Sequence, residues 1–432
     1  MKNILNLEID FTKYEVIEKL SYISLILLSI GPIIEYILKF FLKEEFTYYF
    51  IEINYVVGLI GLFSFIFLFK NKKIEIKSYV PYTLLLILLL LSIISTIFAK
   101  DINLAIFGDY YRREGLIVYI MYLGILLNST IIKNEKYIIN IFKIIIFSAL
   151  FITILPLFNN NFTYQNFTNI YKNTNHYGYF LMISIMISSF MFLKETKYKK
   201  INYYLIYTFL TYILIKNDTF GCYLAVIITY VTSLIISIIN KYKIKDIIII
   251  ILTFILISFL VSYCGINIGE RIHKNNSKGI VLKNVNSLSN DISSIINGNQ
   301  KKINKTGSGR GILWKEAIKY TLKHPLKGGG IENISEYYSS LNIDIDRPHN
   351  MILQVSSFIG IPGAITYIIL ILYLAITNLK YLNKSLNMMI YFTAMSYFIS
   401  SMFGNSMYYT SPYFMILLGL LITMKEKTLS RY

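Results

Sequence analysis

The sequence predicts an all-α polytopic membrane protein of about 12 transmembrane helices with one large extracytoplasmic loop. Three observations predict it. Hydrophobic residues fill 55% of the 432 positions, above the roughly 45–50% of a soluble domain, and mean hydropathy is +0.55. The apolar residues gather in runs of roughly 17–24, long enough to cross a ~30 Å hydrocarbon layer at about 1.5 Å per residue. Basic residues then alternate between successive loops. In lipid each backbone polar group must be paired within its own segment, so such runs are read as helices.

Taken in chain order, the spans are 20–42, 47–69, 79–99, 115–132, 138–158, 176–193, 202–216, 221–239, 246–264, 352–378, 386–403 and 411–424. The run 79–99 is typical: it carries no charge until Lys100. Three regions follow: an N-terminal membrane domain over 1–264, an extracytoplasmic loop over 265–351 with a short amphipathic helix at 310–323, and C-terminal membrane helices over 352–432. The first residues carry Glu8, Asp10, Glu15 and Glu18, which does not fit the basic start of a signal peptide.

Cytoplasmic loops are enriched in Lys and Arg. Every second short loop here is basic, from Lys70, Lys72, Lys73 and Lys77 to Lys425, Lys427 and Arg431 in the tail. That phase holds 18 basic residues against 6 on the other side. Both termini are therefore expected in the cytoplasm. The net charge of +18 is mostly this inside signal and calls for no nucleic-acid partner. The two cysteines, Cys222 and Cys264, fall near outer span ends, where a bridge is an alternative to plain core packing. The triplets at Asn161, Asn166 and Asn275 are read as chance in an Asn-rich chain.

Four outer elements carry candidate chemistry. The loop KDINLAIFGDYYRREG (100–115) places Arg112 and Arg113 just before a span. They serve either as interfacial anchors or as a guanidinium pair for phosphate oxygens. The stretch SGRGILWKEAIKYTLKHPLKGGG (308–330) reads as a short helix ended by Pro325, with a turn at Gly328–Gly330. One apolar face and Trp314 suit a helix along the membrane surface. Arg310 would sit at its N-terminus, where free backbone N–H groups favour an anion. The segment RPHN (347–350) enters a span, and His349 there can exchange a proton near neutral pH. The following IGIPG (359–363) is expected to kink the helix. The fourth element is NTNHYG (173–178), where Asn175 and His176 read as a hydrogen-bonding tether for the loop.

The order of Arg310, Trp314 and Ala317, then HPLKGGG, then HN, then IGIPG at the head of a span resembles the C-terminal hallmark of the O-antigen ligase and O-antigen polymerase superfamily. GDYYRREGL and NTNHYG fit its first-half pattern. The resemblance implies a GT-C-like fold in a bacterial cytoplasmic membrane. It also implies transfer of a glycan from an undecaprenyl-diphosphate carrier to a glycan, lipid or protein acceptor, with no metal or other cofactor. It makes His349 the essential loop histidine and Arg310 the arginine on the diphosphate, with Arg112 and Arg113 as further donor-binding candidates. Asn350, Arg347, His176, Glu332 and Asp346 are candidates for substrate contact or support. One departure stands out: Phe220, in NDTFGC, occupies the place of a family arginine. A lipid-linked oligosaccharide flippase or transporter and a non-catalytic membrane protein are the alternatives. However, the span centres are almost free of charge, with Glu35, Glu52 and Lys143 as exceptions, and a carrier usually places ionisable groups there.

Overall fold

The computed structural model describes residues 14–42, 49–74, 76, 78–158, 171, 173–262, 286, 310–405 and 407–424. Among these the regular structure is helical. The elements are α1 (Tyr14–Leu42), α2 (Tyr49–Lys70), α3 (Val80–Ile97), α4 (Ile102–Phe107), α5 (Leu116–Ile131), α6 (Glu135–Phe158), α7 (Thr174–Lys194), α8 (Lys197–Lys216), α9 (Phe220–Ile239), α10 (Ile244–Ser262), α11 (Arg310–Lys323), α12 (Ile334–Ser340), α13 (Met351–Asn378), α14 (Ser385–Ser401) and α15 (Ser411–Ile422). Each of the twelve apolar runs forms a helix. Eight helices are long and apolar enough to cross a membrane, and α5 and α15 are apolar but shorter. Cys264 and the triplets at Asn161, Asn166 and Asn275 lie outside the described residues. Cys222 is a free, buried thiol, with Sγ 3.3 Å from Ser400 Oγ.

The bundle is organised around two inner helices. The α7 stretch is apolar all round and fully enclosed, packed by α6, α8, α9 and α14. An all-round apolar helix suits a position with no lipid- or water-facing side. α5 is enclosed by α1, α2 and α15. Its approach to α2 is set by glycine. A Cβ on Gly61 would lie 2.0 Å from the Gly124 carbonyl oxygen, and one on Gly124 would lie 2.1 Å from that of Gly58. Small residues let membrane helices meet backbone to backbone, where packing replaces the missing hydrophobic drive.

The loop-bearing end of the bundle has its own smaller apolar cluster. Leu313, Ala317 and Tyr320 of α11 meet Ile331, Ile334 and Tyr338, with Ala99, Ala105, Phe358 and Ile359 beneath them. The helix expected over 310–323 is present, and its apolar face packs onto α12 and α13. Only Ile318 and Leu322, with Leu326 beyond the helix, face outward. Inward burial wins because Leu313, Ala317 and Thr321 share one face, and α13 offers that face a dry partner.

That partner is shaped by the expected kink. Ile359 and Gly360 leave helical geometry, Gly360 at φ 81°. Pro362 has no N–H, so the carbonyl four residues earlier, on Phe358, loses its helical donor. The turn after α11 supplies the replacements. Gly329 N–H donates to Ser357 O at 2.9 Å and Gly330 N–H to Phe358 O at 3.2 Å, while Ile361 N–H donates to Pro325 O at 2.8 Å. Ser95 Oγ of α3 also donates to Phe358 O. Broken helix and loop therefore satisfy each other's backbone groups, as burial requires. Gly328 sits at φ 71°, and a Cβ there would be 2.2 Å from Phe358 O. Gly328→Ala is therefore expected to destabilise the chain by ~1–3 kcal/mol, as an alanine forced into a positive-φ, clashing site. Thermal unfolding in detergent measures this, and an unchanged melting temperature would refute the interlock.

Candidate active site

The site assembles where the loop before α5, the segment before α13 and the N-terminal ends of α7 and α11 converge. Local turns present each side chain. Asp109 Oδ1 accepts from the N–H groups of Tyr111 at 2.6 Å and Arg112 at 2.7 Å, a side-chain-to-backbone turn that aims Arg112 inward. Asn333 ties this loop to the second one. Its Oδ1 accepts from Asp101 N–H at 2.8 Å and its Nδ2 donates to Asp101 O at 3.1 Å.

The centre is a buried charge network. Arg347 is fully enclosed. Its Nη1 donates to Glu114 Oε2 at 2.7 Å, its Nη2 donates to Glu332 Oε1, and its Nε lies 3.4 Å from Glu332 Oε2. Tyr122 Oη donates to the other Glu114 oxygen. Next to it, Arg112 grips Asp346 in bidentate fashion, Nε to Oδ2 and Nη2 to Oδ1 at 3.0 Å. Three carboxylates thus share two guanidiniums. The excess appears at Glu332, whose carboxyl burial pushes up to about 7 despite the pull of Arg347 and Arg112. Asp346 goes the other way: burial opposes its ionisation, but Arg112 holds it well below the usual carboxylate range. Oxygens of Asp109, Glu332 and Asp346 approach within 4.8 Å of one another. Any cation there would compete with the two arginines that already engage Glu332 and Asp346.

The segment DRPHN delivers these groups in sequence. Asp346 meets Arg112 and Arg347 enters the core. His349 then takes φ 55°, with its N–H donating to Asn405 Oδ1 at 3.0 Å. Positive φ is rare for a histidine and here swings the ring out of the chain's path. Asn350 caps α13: its Oδ1 accepts from Leu353 N–H at 3.0 Å, and its Nδ2 donates to Met402 O at 3.2 Å. The His349 imidazole is partly buried. Burial, then the charges of Arg310 and Arg112, lower its pKa to about 4, so it stands neutral and able to accept a proton.

Arg310 opens α11, and its charge reaches His349, Tyr179 and Cys222. Arg113 lies at the rim at φ 51°, its guanidinium 5.8 Å from the Tyr110 ring centre. The tether expected of His176 is made by others. Asn173 accepts from Asn175 N–H at 2.7 Å, and Asn217 Nδ2 donates to Thr174 O at 2.8 Å.

The sequence-derived residues Arg112, Arg310, Asp346, Arg347 and His349 thus come together, with Glu332 and His176 beside them. Arg347, Asn350 and Glu332 are engaged in holding the frame. Glu114 and Asn405 went unassigned in sequence. Glu114 is one residue from Arg113 in a charged loop, and nothing local says that it pairs with Arg347. Asn405 is one of many asparagines.

Residues 204–368 match the family model described as O-antigen ligase. That segment holds Arg310, Glu332, Asp346, Arg347, His349, Asn350 and the α13 kink, while Arg112, Glu114 and His176 lie upstream of it. No curated protein and no solved structure matches the chain.

Two outcomes are expected of the network. Arg347→Ala leaves Glu114 and Glu332 buried without their cation and should destabilise the chain by ~3–5 kcal/mol, seen as a lower melting temperature and reduced abundance in the membrane. The second concerns pH. Glu332 is raised from an ordinary 4.5 to about 7 in the folded chain, so folding takes up a proton between those values. The stabilisation is lost as pH rises through 7. The melting temperature should therefore climb as pH falls from 8 to 6.5, and Glu332→Gln should flatten that climb. A wild-type curve flat over this range would contradict the assignment.

Proposed function

Since the chain belongs, through residues 204–368, to the O-antigen ligase and polymerase superfamily of membrane glycan ligases and polymerases, we propose that it transfers a glycan from an undecaprenyl-diphosphate carrier to an acceptor hydroxyl. The reaction runs at the outer face of a bacterial cytoplasmic membrane, in a GT-C-like bundle of twelve spans with both termini inside. The observation that carries this reading is His349 at the head of α13, kept neutral by burial and by the charges of Arg310 and Arg112, beside a buried ion-paired network.

The chemistry divides between them. The bond from the anomeric carbon to the diphosphate oxygen breaks, and negative charge grows on the lipid diphosphate. Arg310, at the positive end of the α11 helix dipole, stabilises that charge. Arg113 adds a cation at the rim. Arg112 reaches the diphosphate only by sharing its guanidinium with Asp346. The acceptor hydroxyl attacks the anomeric carbon and His349 takes its proton, an arrangement worth ~10²–10⁴-fold. The network of Arg347, Glu332 and Glu114 holds this segment rigid, so that His349 keeps its strained backbone and its aim.

The test is complementation of a deletion strain with wild type, His349→Ala and Arg310→Ala at matched membrane abundance. Both variants are expected to lose surface glycan by ~10²-fold or more, with lipid-linked units accumulating outside. Normal glycan from both variants would remove the site assignment. Accumulation inside would mean that the chain is a carrier.

A further inference from the structure

His176 is left unused by the reaction outlined above. It sits in the first turn of α7, 3% exposed, and its Nδ1 has no hydrogen-bond partner. The turn that holds it is already secured without it. Asn173 caps α7 through Asn175 N–H, Asn217 and Thr219 bind Thr174 O, and a Cβ on Gly178 would lie 2.4 Å from Thr219 Oγ1. One turn further along α7, Tyr179 Oη would lie 2.5 Å from a Cβ on Gly404, next to Asn405, which holds the His349 N–H, and the charges of Arg112, Arg347, His349 and Asp346 act on the imidazole. A buried polar atom without a partner is costly to keep, and a bound substrate group would satisfy it.

We propose that His176 is a substrate-contacting residue whose Nδ1 binds a hydroxyl of the acceptor glycan, next to the hydroxyl that His349 deprotonates. This rests on the transferase reading. The choice of a neutral hydroxyl over a phosphate follows from charge. The arginines nearest His176 are Arg112 and Arg347, and both are already matched by Asp346, Glu332 and Glu114. With three carboxylates for two guanidiniums, this side of the site repels an anion. Arg310, at the start of α11, is the cation left to the diphosphate in this reading, and its charge acts on His349. A sugar hydroxyl both donates and accepts, so it satisfies Nδ1 in either tautomer. It also brings its neighbour on the ring within reach of His349.

The experiment uses full-length protein in vesicles, a lipid-diphosphate-linked glycan as donor and a soluble acceptor glycan at varied concentration. His176→Phe keeps the volume and removes the polar atom. His176→Asn keeps a polar atom near the place of Nδ1. The expected result is a ~10–100-fold higher acceptor KM for His176→Phe, with donor KM and melting temperature unchanged. His176→Asn is expected to recover most of the wild-type KM. An unchanged acceptor KM in His176→Phe overturns the assignment to His176 and leaves the transferase reading standing. A rise in donor KM instead also overturns it. So does an equal loss in both variants with a lowered melting temperature, which means a packing role. A wild type that transfers nothing overturns this proposal and the reading beneath it together.

Discussion

A guanidinium with no exposed surface cannot exist in a protein without anionic partners, and Arg347 obeys that constraint. Its two carboxylates come from distant parts of the chain, Glu114 before α5 and Glu332 between α11 and α12. One side chain therefore pins the first half of the bundle, the large loop and the entry to α13 at a single point. Burying an ion pair is weak evidence for net stability, because desolvation offsets much of the attraction. Its value lies in specificity: any other arrangement of these loops would strand a charge. The neighbouring pair of Arg112 and Asp346 repeats the device one residue earlier in sequence, so the segment 346–347 is held from two directions.

The second constraint is backbone hydrogen bonding at membrane depth. A proline-containing helix has to place its orphaned carbonyls somewhere. In α13 the glycine turn after α11 takes them, and α3 contributes Ser95. The loop is consequently docked through main-chain groups and glycines here, in addition to the side-chain ties of Glu332 and Asn333. Arg310 and His349 are carried on opposite sides of this joint, at the start of α11 and just before α13. The interlock fixes their separation.

Electrostatics then sorts the groups by task. Burial and the charges of two cations leave His349 neutral, burial raises Glu332, and Arg112 holds Asp346 down. Residues of the same chemical type thus stand in different settings: the charge of Arg310 acts on His349, whereas Arg347 is walled in by carboxylates.

The sequence by itself determined the helical membrane class, the twelve apolar helices, the amphipathic helix from Arg310 to Lys323 and the kink at IGIPG. Each is a local property: a run length, a period of 3.6, or a proline that cannot donate. It also named Arg310, His349, Arg112, Arg347, Glu332 and Asp346, because charges gathered at outer loop ends of an apolar chain are conspicuous. Only the tertiary structure decided what each one does. Arg347 became a strut and Arg112 a partner of Asp346 because their carboxylates lie more than 200 residues away or across the loop in sequence. It also turned the apolar face of α11 inward, and it left the tether at His176 to Asn173, Asn217 and Thr219. Spacing along a chain fixes which face a residue occupies, but partners arriving from other elements are set by packing, and a single sequence carries no record of them.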